Sequence, residues 1–344
     1  MNDLRVSDIG EFELIAQLRD ALPEAARSGS RVPLAIGDDA AVAQISPGEQ
    51  MVVSSDTLNE GVHFRLDWTS WGDLGHKALA VNLSDLAAMG ASPVLATVNL
   101  GLTGTELVAH LEELYRGIGL LAVVTGTVIA GGDVTRSPAG LSITVTVIGE
   151  TVGAAVMRRD AGRPGDEIWV TGTIGAAAAG LHLLHLAEDD PRRTATTADL
   201  LIQALHRPEP RLDAGRALLR AGVRCAMDLS DRLAGDLHKI MAASGVDAEI
   251  DLDRLPLAAA VLALAREETT QLALTGGDDY ELLFAAPATL SDAIVRALQA
   301  VSVSGAMIGR LISQVGAGPT LTGISGNRQR QVIGPTSFDH FPKR

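Results

Sequence analysis

A two-domain α/β protein is what the sequence predicts, on three observations. Short apolar runs bounded by glycine alternate with segments of helical period, which is the pattern of mixed strands and helices. The chain has 344 residues, 47% of them hydrophobic, enough to bury more than one core. Its 36 glycines, set against only 3% aromatics, favour tight turns and small-residue packing over an aromatic-rich β-sandwich.

In chain order, residues 11–27 read as a short helix, with Phe12, Ile15, Leu18 and Leu22 near helical spacing. In LAIGDDAAV, Gly37 permits a turn that carries Asp38 and Asp39; adjacent side chains diverge, so one of them is expected to face a site and the other water or a backbone amide. MVVSSDTL is a short strand followed by Ser54, Ser55 and Asp56, an oxygen-only set that suits Mg²⁺ or Ca²⁺ over zinc. Residues 71–89 read as one helix ended by Gly90, and its Asp85 borders the apolar face, where a carboxylate is costly unless paired or metal-bound. A strand over SPVLATVNLGL and a helix over residues 106–121 follow.

The stretch VVTGTVIAGGDVTR is expected to place Val123, Val124, Val128 and Ile129 in a buried strand. Gly131 and Gly132 then turn the chain and leave Asp133 at the strand end beside free amides, a sensible place for a metal-bound phosphate. LSITVTVIGE is the cleanest strand pattern, with Ile143, Val145 and Val147 on one face and Thr144 and Thr146 on the other. A domain boundary is expected near residues 150–160, dividing the chain into 1–155 and 156–344. Beyond it, a Pro-Gly-Asp turn precedes a strand over residues 168–171 and a glycine-rich helix entry. Gly172, Gly175 and Gly180 lack G-x-G-x-x-G spacing, so small-residue helix packing explains them better than a dinucleotide site. His182 and His185 stand one helical turn apart without the acidic neighbours of a metal motif, and residues 188–197 form a polar loop. Asp228, Ser230 and Asp231 open a helix whose stripe is Leu233, Leu237, Ile240 and Met241, and LALTGGDDYELLF is read as a second strand, Gly-Gly, acid unit.

A net charge of −14 argues against a nucleic-acid or anionic-membrane partner, since both need basic surface. A single cysteine, Cys225, excludes an intrachain disulfide and a Cys-rich zinc site, and no apolar run approaches the length of a membrane span; a cytoplasmic location is expected. There is no G-x-x-x-x-G-K-[ST], which disfavours a P-loop ATPase. What recurs instead is an acid at an element end: GDD, SSD, GGD, DLSD and GGDD. Acids converging on one space repel unless divalent cations fill it, and such a space holds a nucleotide triphosphate without a P-loop lysine.

IGDDAAV, SSDTLNEGVHF, KALAVNLSDLAAMGASP, GGDVTR, RRDAGRPGDEIWVTGTIGAAAAGL, MDLSDRLAGDL, TGGDDYELLF and FDHF, in that order over nearly the whole chain, resemble the thiamine-monophosphate kinase family. That family belongs with aminoimidazole ribonucleotide synthetase and selenophosphate synthetase. The resemblance implies an N-terminal ATP- and Mg²⁺-binding domain whose mixed sheet pairs two subunits into a homodimer, and a C-terminal α/β domain. It also implies transfer of the ATP γ-phosphate to thiamine monophosphate, giving thiamine diphosphate. By the same resemblance the Mg²⁺ ligands fall on Asp39, Ser54 or Ser55, Asp56, Asp85, Asp133, Asp228 and Asp231. Nucleotide contacts fall on Gly132, Asp133, Arg159 and Ser230, and substrate contacts on His63, Asp278 and Phe338. The acceptor is already an ionised phosphate and needs no strong general base, only charge neutralisation by Mg²⁺ and Arg159 and in-line placement.

Two positions depart from the family pattern. Arg232 stands at a usual glycine, so that turn is either strained or ordinary, and Asp278 stands where glutamate is common. The N-terminal cysteine or selenocysteine of selenophosphate synthetases, and its lysine, are missing. An alternative from another class is a non-catalytic nucleotide- or Mg²⁺-binding relative, which would bind without forming product.

Overall fold

The chain was described from a computed structural model that covers residues 4–153, 155–264, 269–326 and 328–335. It divides into two units, residues 1–86 with 91–154, and residues 87–90 with 155–344.

The first unit contains α1 (Val6–Ile9), α2 (Glu11–Ala21), α3 (Glu24–Arg27), β1 (Met51–Asn59), α4 (Trp71–Met89), β2 (Ser92–Leu102), α5 (Val108–Thr125), β3 (Val128–Arg136) and β4 (Ser142–Glu150). The last turn of α4 is grouped with the second unit. The strands form one mixed sheet in the order β1-β4-β2-β3, antiparallel except for β2 with β3. The alternation in β4 sets its two faces: Ile143, Val145 and Val147 are buried, while Thr144 and Thr146 pair across the other face with Thr57 and Ser55 of β1. The buried face is the one toward α4, whose Leu86 lies against Gly149.

Three expectations need correction here. The single N-terminal helix is two, because Leu22 precedes Pro23 and takes extended backbone, which proline imposes on its predecessor. Val123 and Val124 are not in a strand; they form the last turn of α5, with Val124 83% exposed, and Gly126 caps the helix in the left-handed region at φ 71°. Gly131-Gly132-Asp133 lies inside β3 rather than at its end. The register against β2 shifts between Ala96 and Thr97, leaving Ala130 as an extra residue, and a bulge of this kind re-aims the side chains that follow. Gly132 is dictated by proximity, since a Cβ there would stand 1.8 Å from the Val98 carbonyl oxygen.

The second unit contains β5 (Glu167–Thr171), α6 (Ala176–His185), α7 (Ala198–His206), α8 (Leu212–Ala221), β6 (Cys225–Asp228), α9 (Leu233–Ser244), β7 (Val246–Asp251), α10 (Ala259–Leu264), α11 (Thr269–Thr275), β8 (Leu282–Ala286), α12 (Ser291–Ala300), β9 (Gly305–Ser313), β10 (Leu321–Ile324) and β11 (Arg330–Ile333). Its sheet runs β11-β10-β7-β9-β5-β8-β6, with only β10 and β7 parallel. The core includes Val170, Met227, Leu237, Ile250, Leu283 and Leu311. LALT, read as a strand before GGDD, closes α11 instead; a short apolar run has no period that separates strand from buried helix. Among the described residues no helix is long and apolar enough to cross a membrane.

Arg232 is the N-cap of α9 and holds φ 86°, ψ 140°, a region that favours glycine. The turn is therefore strained. Arg232→Gly should raise stability by on the order of 1 kcal/mol, read as a higher denaturation midpoint at unchanged slope. An unchanged or lowered midpoint would mean that arginine's contacts offset the backbone cost.

Candidate functional site

The first unit gathers its candidate ligands through β1 and α4. Alternation along β1 sends Ser54 and Asp56 toward the α4 face and Ser55 to the other. Ser54 Oγ donates to Asp85 Oδ2 in a close contact, and the Asp56 backbone N–H donates to Asn82 Oδ1 at 2.9 Å, one helical turn before Asp85. Asn82 is itself held by donating to the Ala78 carbonyl at 3.0 Å. Ser55 Oγ is engaged with Thr146 Oγ1 at 2.8 Å on the opposite face, so Ser54 is the serine that stands beside an acid. Asp38 Oδ1 accepts the Asp39 N–H at 2.8 Å, and both residues are exposed. Asp133 is exposed and sits opposite Asn99, with Oδ1 accepting the Val134 N–H at 2.9 Å. His63 Nδ1 accepts the Asn59 N–H at 3.0 Å, which places the proton of the neutral ring on Nε2.

In the second unit two segments are zipped together. Asp228 ends β6, and Leu229 and Ser230 then pair with the GGDDYE segment. Leu229 N–H donates to the Glu281 carbonyl at 2.8 Å, Tyr280 N–H to the Leu229 carbonyl at 2.9 Å, and Asp278 N–H to the Ser230 carbonyl at 3.0 Å. Gly277 lets the two backbones meet, since a Cβ there would lie 2.6 Å from the Ser230 carbonyl. Asp278 and Tyr280 both take positive φ, 66° and 50°, so this turn is held against its preference. Asp279 closes the segment from the other side: both its oxygens accept the Gly175 N–H at the start of α6, at 2.9 and 3.0 Å, and burial pushes its carboxyl up to about 7.

The anchor is Glu281, only 4% exposed. It accepts from Arg211 Nε at 2.8 Å, Arg211 Nη2 at 2.6 Å and Thr171 Oγ1 at 2.6 Å, and Thr171 Oγ1 accepts the Leu282 N–H in turn. Burial works against Arg211's charge, but the Glu281 carboxylate outweighs it and holds the guanidinium above its ordinary value. Arg159 is exposed and its guanidinium makes no polar contact among the described residues, while its carbonyl accepts Ser244 Oγ at 2.9 Å. Phe338 lies outside the described residues.

Among the described residues no three of His, Cys, Asp and Glu stand together as a metal cage. The donor set still fits Mg²⁺. That ion binds through one or two carboxylates and completes its octahedron with water and substrate phosphates, and exposed Asp39, Asp56 and Asp133, with the Ser54–Asp85 pair, are hard oxygen donors of that kind. Asn82, Arg211 and Glu281 went unread in the sequence. Glu281 alone had a signal, as a carboxylate entering the apolar run LLF, which requires a partner.

The chain matches two family models, the AIR synthase related protein N-terminal domain over residues 37–151 and its C-terminal domain over residues 163–320. It is thus a two-domain protein of the AIR-synthase-related class. Within that class, it is 40% identical over 309 residues to the thiamine-monophosphate kinase of Escherichia coli K12, covering 89% of this chain and 91% of that one. The crystal structure of thiamine-monophosphate kinase from Stenotrophomonas maltophilia K279a superposes with a TM-score of 0.79 at 40% identity, over 91% of this chain and 96% of that one. AaThiL complexed with AMPPCP and TMP gives a TM-score of 0.74 at 28% identity, over 99% of this chain and all of that one. The chain belongs to the thiamine-monophosphate kinase family.

Proposed function

We propose that the protein transfers the γ-phosphoryl group of ATP to thiamine monophosphate, giving thiamine diphosphate and ADP. The observation that carries this is the 40% identity to a thiamine-monophosphate kinase over nearly the full length of both chains, joined to a site of the required oxygen chemistry. A relative that holds an ATP analogue and TMP together supports the pairing of substrates.

Asp39, Ser54, Asp56, Asp85, Asp133, Asp228 and Asp231 are the oxygens that would hold Mg²⁺, with Ser55 turned away to Thr146. Bound there, Mg²⁺ neutralises phosphate charge and lowers the cost of bringing two anions together. Arg159, exposed and without a polar partner among the described residues, supplies a guanidinium to the nucleotide phosphates. Gly132, next to Asp133 on β3, contacts the nucleotide through its backbone, and Ser230 contacts it from the zipped segment. His63, through Nε2–H, Asp278 and Phe338 contact thiamine monophosphate. The acceptor phosphate is ionised at neutral pH, so no residue is required as a strong base; the chain's task is to align it with the γ-phosphorus and exclude water. Residues 1–155 serve ATP, Mg²⁺ and subunit pairing, residues 156–344 form the C-terminal α/β domain, and the protein works in the cytoplasm.

Purified protein with ATP, Mg²⁺ and thiamine monophosphate should form thiamine diphosphate, and Asp133→Asn should lose most of that turnover while remaining folded, since it removes an anionic ligand at nearly constant volume. Nucleotide binding without product would favour the non-catalytic alternative. Wild-type turnover by the Asp133→Asn variant in saturating Mg²⁺ would remove Asp133 from the site.

We further propose a homodimer through the outer face of the first unit's sheet, where Met51 and Val53 are 61% and 52% exposed beside the Ser55–Thr146 and Thr57–Thr144 pairs. Sedimentation at low micromolar protein should give twice the 35.8 kDa chain mass, and a monomer there would sink the assignment.

A further inference from the structure

Lys239 stands among the acids of the second unit. On α9, one turn after Asp236, it places its ammonium 2.7 Å from Asp231 Oδ2 and 2.8 Å from Asp236 Oδ1. Asp236 is fully buried, and its other oxygen accepts the Asp231 backbone N–H at 2.9 Å. Asp236 therefore fixes Asp231 twice, its backbone directly and its side chain through Lys239. Asp231 is held only by Oδ2; its Oδ1 has no protein partner among the described residues, and the side chain is 37% exposed. A carboxylate pinned by one oxygen presents the other in a set direction, which is how outer partners orient carboxylates toward a cation. Two carboxylates and one ammonium also leave the cluster with a net charge of −1, so it still attracts a divalent ion.

We propose that Lys239 is a positioning residue for cation-bound nucleotide: it pins Asp231 through Oδ2 so that Oδ1 is offered to the divalent cation. This rests on the reading of Asp231 as a cation ligand of an ATP-dependent kinase. Removing Lys239 has two opposed effects. Lost positive charge would by itself favour a cation, whereas lost orientation opposes it. Orientation prevails because the ammonium sits on Oδ2, away from the oxygen left open, and because without it the buried Asp236 keeps no charged partner among the described residues.

The test is calorimetric binding of the methylene analogue of ATP across a Mg²⁺ titration, in wild type, Lys239→Met and Lys239→Arg, with fold checked by circular dichroism. Methionine keeps the stem and loses the charge, and it should raise the Mg²⁺ concentration for half-saturation by about tenfold. Arginine, which can bridge both carboxylates, should restore it to within about twofold of wild type, a rescue that a purely structural lysine would not require. Should the methionine variant not fold, Lys239→Gln is titrated with the same expected direction. A variant curve that superimposes on wild type, or that moves to lower Mg²⁺, overturns the proposal. Wild-type protein that fails to bind the analogue at any Mg²⁺ concentration overturns instead the kinase reading on which it rests.

Discussion

The buried ion pair between Glu281 and Arg211 is the contact on which the zipped segments of the second unit depend. Its carboxylate lies at the entry to β8, where every following residue is core, and burying that charge without a partner would cost several kcal/mol. The bidentate guanidinium and the Thr171 hydroxyl meet that requirement together. Once Glu281 is fixed, its backbone carbonyl fixes Leu229, and the ladder from Leu229 to Asp278 follows. The strained backbone at Asp278 and Tyr280 persists because the ion pair, the ladder and the Asp279 cap over-determine it. The segment after β6 and the GGDDYE segment are thus set by one interaction.

In the first unit, strand alternation and one helical turn bring Ser54 to Asp85 and Asp56 to Asn82, so the sheet and α4 position hard oxygen donors.

Much of this could be read from the residues. The extent of α4, β2 and β4, and the two faces of β4, follow from period alone, because those segments are long and regular. Short apolar runs beside glycine gave the errors. Val123 and Val124 extend a helix, LALT ends another, and GGD sits within a strand whose bulge no local signal announces. The repeated acids single out segments without giving an arrangement, since motif recurrence says nothing of how far apart side chains end up. Arg211 and Lys239 were invisible for a related reason: each acts on an acid distant in sequence or on the inner side of its helix, and a lone basic residue carries no pattern. The departure at Arg232 was legible as a strain or an ordinary turn, and its φ of 86° selects strain.

Native-state hydrogen exchange of Arg211→Leu beside the wild type tests the dependence on the ion pair most directly. The account predicts that the amides of Leu229, Asp278 and Tyr280 lose protection together, while those of β1 and β4 in the other unit keep theirs. Unchanged protection at those three amides in a folded variant would contradict it, and would mean that the GGDDYE segment is held in place without Arg211.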